Sequence, residues 1–234
     1  MKVKFLLLVL IVCVGCLSLI ALSTASKNHQ EPKKAPTRGR LKWHVEEAKK
    51  EGRRQVIISS GILEYLGTAN TDIEQAFNDY TVVVAQPISK QTYQVSDNDL
   101  LTWYRFRIVD ALTALKNPAC FGCLGVTPPS DIPPLDSNEF LIAKAGGRLM
   151  LDGVEVIQTE RGFPEFEDNQ RYLLFISLYP NHVAAPAGGP LGVFKIAENE
   201  TLTSIHDQSD PIKDGILSEF HGSLKLLKRH FNKR

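Results

Sequence analysis

The stretch RYLLFISLY, residues 171–179, is the most apolar part of the chain beyond its first 26 residues. Its middle, from Tyr172 to Ile176, combines aromatic and branched aliphatic side chains without any charge. This composition is typical of a β-strand. We therefore expect residues 171–179 to form the central strand of a sheet.

The segments on either side of this strand show further strand signals. Asp152 and Gly153 separate two short apolar runs, and an Asp-Gly pair favours the positive φ angles of a tight type I′ hairpin turn. Residues 104–109 alternate between apolar and polar side chains, as a half-buried antiparallel strand does. Other short strands are predicted at residues 55–60, 81–85, 139–143, 149–151, 154–157, 192–197 and 202–205.

Together these segments predict about eight or nine short antiparallel strands. Few helical segments lie between them, which argues against alternating β-α-β winding and a parallel sheet. We therefore expect a mainly β fold. The two architectures that fit are an OB-like closed barrel and a β-sandwich.

Helical patterns flank the β region on its N-terminal side. A first predicted helix, residues 41–51, has its apolar residues on one face: Leu41, Val45 and Ala48. A second short helix is expected to start at Thr71, because Thr71 and Glu74 have the spacing of a capping box.

The C-terminal segment, residues 211–231, predicts one amphipathic helix. Five apolar residues share a face: Ile216, Phe220, Leu224, Leu227 and Phe231. We expect this face to pack on the β-domain. Because the opposite face is basic, a position on a membrane surface is the alternative.

The first 26 residues predict export. Residues 5–22 contain no charge and, at about 1.5 Å per residue, would form a helix of about 27 Å, close to the ~30 Å hydrocarbon core of a bilayer. Three interpretations fit: an uncleaved membrane anchor, a signal peptide cleaved near Ala25, or a lipoprotein acylated at Cys16. All three place the remaining chain outside the cytoplasm, in the cell envelope, either membrane-anchored through residues 5–22 or secreted or periplasmic after cleavage.

Charge is segregated along the chain, although the formal net charge is only +1. Residues 27–54 carry ten Lys or Arg against four Asp or Glu, residues 55–212 carry nine against twenty, and residues 213–234 carry six against two. Residues 27–40 predict a basic disordered tether, either solvated or in contact with anionic lipid headgroups. Residues 41–234 are expected to form a single β-rich domain. Its acidic body argues against a nucleic-acid partner, which would need a cationic face.

Five motifs follow one another in the second half of the chain: Gly146-Gly147, Asp152-Gly153-Val154, Phe163-Pro164-x-Phe166-Glu167, Gln170-Arg171-Tyr172-Leu-Leu-Phe175 and Gly189-Pro190-x-Gly192-Val193-Phe194. In this series the chain resembles uncharacterised exported bacterial proteins in which an OB-like or netrin-like β-domain follows a signal sequence. The resemblance covers about residues 70–230. It implies a bacterial origin and a β-domain, and it transfers no catalytic residue and no ligand.

Cys120 and Cys123 are the only cysteines after the leader. In the oxidising envelope we expect them to form a disulfide. The proline-rich residues 124–134 cannot begin the helix whose N-terminus activates a redox-active thiol, which favours a structural clamp. Half of a metal site and a thiol-exchange pair are the alternatives. Leu124 stands where a covalent haem site needs histidine, so no haem is expected.

Trp103, Arg105 and Arg107 share the polar face of the alternating strand. An exposed Trp flanked by two guanidinium groups has the composition of a binding hot spot. The alternative is that the C-terminal helix covers this strand and buries Trp103 beneath it.

Other polar groups suggest no catalytic site. His206 and Asp210 lie too close in sequence for the geometry of a hydrolytic triad. Glu165, Glu167 and Asp168 could bind calcium or act as an acid–base pair, but a charged turn before the central strand is the favoured interpretation. We expect no cofactor and no metal centre.

The sequence as a whole therefore predicts a non-catalytic binding or interaction module of the cell envelope. Its partner would be an envelope protein or a small ligand, and residues 5–22 would provide the membrane contact. The alternative function is that of a thiol–disulfide or metal-dependent envelope protein that uses Cys120 and Cys123.

Overall fold

The computed structural model describes residues 39–60, 72–116, 127–179 and 181–231, which belong to one compact unit. The strands in these ranges are β1 (Gln55–Ser60), β2 (Thr81–Gln94), β3 (Leu100–Ala111), β4 (Glu139–Ala145), β5 (Gly147–Leu151), β6 (Val154–Glu160), β7 (Tyr172–Leu178), β8 (Val183–Pro186), β9 (Val193–Ile196) and β10 (Leu202–Ser204). The helices are α1 (Leu41–Lys50), α2 (Ile73–Asp79), α3 (Pro211–Phe220), α4 (Leu224–Phe231) and a 3₁₀ turn at Gly189–Gly192.

Five strands close into a barrel. The order is β7–β2–β3–β4–β8, and β8 pairs back to β7, so the ring has no open edge. This confirms the mainly β fold and decides between the two predicted architectures in favour of the OB-like barrel. The prediction that all strands are antiparallel is wrong. Strand β4 runs parallel to β8, and β1 runs parallel to β6.

The predicted central strand is β7, and its apolar composition has a direct cause. Tyr172, Leu174 and Ile176 face the barrel interior. Leu173 and Phe175 face the opposite side, where the helices pack. A strand buried on both faces needs a continuous apolar sequence rather than an alternating one.

Aromatic side chains fill the barrel interior. The Phe166 ring contacts Phe106 edge-on with 4.9 Å between ring centroids, and it contacts Tyr104 at 5.0 Å and Tyr172 at 5.2 Å. The Phe106 ring stacks on Phe140 at 5.5 Å. Small barrels of this type fill their centre with side chains, which leaves no interior cavity for a ligand among the described residues.

The C-terminal segment packs on the barrel, as expected, but it is not one helix. His221 and Gly222 adopt left-handed φ angles of 50° and 65°, which ends α3 at Phe220 before α4 starts at Leu224. The two helices still direct their apolar residues to the same core, together with α2 and the outer faces of β2, β7 and β9.

A second sheet, β1–β6–β5, lies beside the barrel and is covered by α1. The predicted apolar face of α1 is confirmed, since Leu41, Val45 and Ala48 are buried. The predicted hairpin is confirmed as well: β5 and β6 are joined by Asp152 and Gly153, whose φ angles are 50° and 82°.

The start of α2 differs from the prediction. Its N-cap is Asp72, whose carboxylate accepts a hydrogen bond of 2.8 Å from the backbone N–H of Gln75. Thr71, the predicted cap, lies outside the described residues. Asp and Thr are both good N-cap residues, so local sequence alone did not discriminate between them.

Candidate functional site

Strand β2 is longer than the sequence indicated and carries a bulge on the barrel surface. The prediction ended the strand at Ala85, but the strand continues to Gln94. Its pairing with β3 passes from Pro87–Phe106 to Ser89–Arg105 and leaves Ile88 as an extra residue. Pro87 has no N–H for the ladder, and a β-bulge accommodates such a break while it turns the extra side chain outward.

A concavity of about 380 Å³ opens beside this bulge. We call it the bulge groove, and it is lined by Gln86, Pro87, Ile88, Arg107, Val109, Asp168 and Asn169. One wall is the β2–β3 ribbon, and the other is the turn that leads into β7. The volume lies at the lower end of the range for small-ligand sites, about 300–1,000 Å³.

One end of the groove is cationic because of an unequal charge cluster. The buried carboxylate of Glu139 accepts hydrogen bonds from Arg105 Nε at 2.8 Å and from Arg107 Nη2 at 2.9 Å. Two guanidinium groups therefore share one carboxylate, and the cluster has a net charge of +1. The Arg107 side chain is 52% exposed and the Arg105 side chain only 18%, so the excess charge is presented at Arg107.

The carboxyl of Glu139 is held in its charged form. Burial by itself would raise its pKa, but the hydrogen bonds from the Asp136 N–H and from the two arginines outweigh burial. The pKa of Glu139 is consequently below its usual range.

We expect Glu139→Gln to lower the free energy of unfolding by about 2–3 kcal/mol at neutral pH, since Arg105 and Arg107 lose their counter-charge. A carboxyl whose pKa is lowered on folding contributes stability above its unfolded pKa of about 4.3 and loses this contribution as the pH falls through the folded value. The difference between wild type and variant should therefore shrink below about pH 4.

Urea denaturation from neutral pH to about pH 3 measures this difference. The matched control is Glu198→Gln, which changes an exposed glutamate and should stay within about 0.5 kcal/mol at every pH. A Glu139→Gln effect that is constant across this pH range would contradict the assignment.

The opposite wall of the groove carries Asp168 and Asn169 on a well-anchored turn. Phe163 and Phe166 bury the start of the turn in the barrel core. At its end, Gln170 Nε2 donates to the carbonyl of Ile196 at 2.7 Å. Asp168 itself is exposed and forms no ion pair with any residue of the described ranges.

The predicted face of Trp103, Arg105 and Arg107 is only partly correct. Arg105 and Arg107 do lie on the outer face, but Trp103 is buried, with 2% of its surface exposed, so the exposed hot spot is wrong. The cover is not the C-terminal helix either. Trp103 packs with Leu141 and Val183 beneath residues 127–138, whose Ile132 and Leu135 lie over it.

Three hydrogen bonds hold residues 127–138 in this position. The carboxylate of Asp131 accepts hydrogen bonds from Tyr93 Oη at 2.9 Å and from Gln91 Nε2 at 3.3 Å. Arg105 Nη2 donates to the carbonyl of Pro134 at 2.8 Å. Residues 127–138 therefore cover the start of the outer face of β3 and leave Arg107 and Val109, which line the groove, accessible.

Two carboxylates of the acidic turn are engaged in ion pairs. Glu165 pairs with Lys90 at 3.3 Å and Arg148 at 3.6 Å, and Glu167 pairs with Lys195 at 2.5 Å. No group of three His, Cys, Asp or Glu side chains within the described ranges has an arrangement suited to a metal ion.

His206 and Asp210 have local structural roles. Nδ1 of His206 accepts a hydrogen bond from the Gln208 N–H at 3.0 Å, and the Asp210 carboxylate caps α3 through the Ile212 N–H at 3.0 Å. These contacts tie the two side chains to separate backbone groups.

The remaining predicted sites lie outside the described residues. These are Cys16, Ala25, the leader segment 5–22, and the pair Cys120 and Cys123. In the part of the chain that is described, no helix combines the length and apolar character required to cross a membrane.

Five groove residues were not identified from the sequence: Gln86, Pro87, Ile88, Val109 and Asn169. One signal was available, because a proline inside a β-branched run marks an edge or a bulge.

No family model, curated protein or solved structure matches the chain.

Proposed function

We propose that this protein is a non-catalytic binding module of the cell envelope, exposed outside the cytoplasmic membrane, which binds an envelope protein or a small ligand in the bulge groove. The observation that most supports this proposal is the pair of opposite charges in the groove. Arg107 and Asp168 line the same concavity and do not form an ion pair with each other. A ligand can satisfy both groups at once.

The rigidity of the walls also supports a binding role. The β2–β3 ribbon is part of the closed barrel, and the Glu139 carboxylate fixes the Arg107 guanidinium. Groups held in place before binding lose little conformational entropy on binding, which favours affinity. The groove therefore has the properties of a preformed site.

The location is proposed from the N-terminal sequence. Residues 5–22 are uncharged and residues 27–40 are polar and basic, so the leader and tether would hold the domain at the outer side of the cytoplasmic membrane until any cleavage near Ala25.

Photo-crosslinking in the producing cells tests this function. A photoreactive amino acid in place of Val109, in the groove, should give a covalent adduct, and one in place of the exposed Thr203 on β10 should not. Gel shift and intact mass distinguish a protein adduct from a small molecule. In spheroplasts, added protease should digest the domain.

Two results would overturn the proposal. One is equal labelling at positions 109 and 203, which would mean that the groove has no preferred ligand. The other is a domain that resists added protease in intact spheroplasts and becomes sensitive only after lysis.

A further inference from the structure

We infer that the bulge groove binds a short peptide with free termini and an aliphatic side chain, an inference that rests on the proposed function and names its ligand class. Three features of the groove support it. They are a cationic end, an acidic and amide-bearing wall, and two partly exposed apolar side chains in the lining.

The cationic end suits a carboxylate. Arg107 uses Nη2 and Nε for Glu139, with N–O distances of 2.9 Å and 3.3 Å. Its Nη1 makes no hydrogen bond to the residues that the structure describes, and half of the side chain is exposed. A planar guanidinium with a free edge binds a carboxylate in a directed, charge-assisted way.

The acidic wall suits an ammonium group. Asp168 is exposed on the turn, and Asn169, with a left-handed φ of 63°, lies next to it. The Asn169 amide and the Gln86 amide on the facing strand can donate to and accept from a peptide bond. A peptide has all of the complementary groups.

The apolar part of the lining suits one aliphatic side chain. Ile88 is 40% exposed because the bulge turns it outward, and Val109 is 54% exposed on the neighbouring strand. These are isolated apolar surfaces within a polar rim. Covering them with an aliphatic group contributes about 25 cal/mol per Å² of apolar area removed from water.

The two opposite charges favour a zwitterion over a ligand that carries charge of one sign. A purely anionic ligand is repelled by Asp168, and a purely cationic ligand is repelled by Arg107. A zwitterion places one charge at each end. A volume of about 380 Å³ accommodates a di- or tripeptide better than a larger cofactor.

The test uses the full chain, purified in detergent, and the dipeptide leucyl-leucine as the probe. Binding is followed by isothermal titration calorimetry and by the shifts of backbone amide signals in NMR spectra. We expect saturable binding at millimolar concentration, with shifts centred on residues 86–88, 107–109 and 168–169. The same dipeptide with acetylated and amidated ends should bind at least about tenfold more weakly, since both charge-assisted contacts are lost.

Two pairs of variants assign the contacts. Asp168→Asn should weaken the binding of leucyl-leucine about tenfold and leave the binding of the blocked dipeptide unchanged. Arg107→Lys, which alters the contact to the peptide carboxylate, should have the same two effects. Asp207→Asn and Arg229→Lys change exposed residues elsewhere and serve as matched controls that should bind as wild type does. Asp168 has no ion pair within the described chain, so its variant should fold normally.

The inference is overturned if leucyl-leucine does not bind, if the blocked form binds equally well, or if Asp168→Asn binds as wild type. Any of these results together with a crosslinked adduct at position 109 would leave the proposed function intact and remove only the ligand class. Their combination with equal labelling at positions 109 and 203 would remove both.

Discussion

A chain truncated after Ser209 is expected not to fold, because it loses α3 and α4. Five large apolar side chains of these helices are at least 95% buried in the core that they share with β2, β7 and β9: Ile212, Ile216, Phe220, Leu224 and Leu227. Each contributes roughly 1.5–3 kcal/mol on burial, together about 8–15 kcal/mol. This is comparable to the whole stability of an ordinary domain, about 5–15 kcal/mol.

Circular dichroism and thermal unfolding of the truncated chain measure this effect. The expected result is a loss of the cooperative transition and a tendency to aggregate, since the outer faces of β7 and β9 would be exposed. A truncated chain that melts at the temperature of the full chain would contradict the packing role and would favour the membrane-surface alternative.

Two neighbouring leucines of α4 provide a matched control for this prediction. Leu227 is fully buried, whereas Leu226 is 39% exposed. Leu227→Ala is expected to lower the free energy of unfolding by about 2–5 kcal/mol. Leu226→Ala, the same chemical change, should have an effect of about 0.5 kcal/mol. Equal effects would mean that α4 does not use the observed face.

The second large effect is expected for Gly146→Ala. Gly146 lies where the barrel strand β4 passes into β5, and its φ is 84°. A Cβ atom at this position would lie 2.3 Å from the backbone oxygen of Gln158 in β6, which cannot move without a break in the sheet. Left-handed strain and this overlap together should lower the free energy of unfolding by about 3–5 kcal/mol.

Gly153→Ala separates the two causes. Gly153 has nearly the same φ, 82°, but an added Cβ would meet no atom within 4 Å. The free energy of unfolding of this variant should fall only by the cost of placing alanine at a positive φ, about 1–2 kcal/mol. Chemical denaturation of both variants gives the comparison, and a Gly146→Ala loss no larger than that of Gly153→Ala would show that the close approach to Gln158 is absent.

Local patterns predicted the elements whose causes are local. The Asp152-Gly153 turn depends on two residues that tolerate positive φ, so it could be identified from the sequence. The apolar face of the C-terminal segment was also identified, although its division into two helices was not. The apolar residues before and after the turn at His221 and Gly222 pack in the same core. Their spacing in the sequence is therefore similar to that of one continuous helix and does not reveal the turn.

The segment that buries Trp103 and the assembly of the groove could not be predicted in this way. Trp103 is covered by Ile132 and Leu135, which are distant from it in sequence. Arg107 and Asp168 line one concavity although they are also distant in sequence. Alternation along β3 indicates that the strand has two different faces. It does not indicate which distant segment covers one of them.

The sequence by itself determined the mainly β class, most of the strand positions and the buried faces of the flanking helices, because side-chain periodicity and turn residues act over a few positions. Only the tertiary structure decided the closure of the barrel, the parallel pairings of β1 with β6 and β4 with β8, and the position of the bulge groove. The physical reason is that every strand edge offers the same backbone N–H and C=O groups. The partner of each edge is consequently selected by the packing of the whole core.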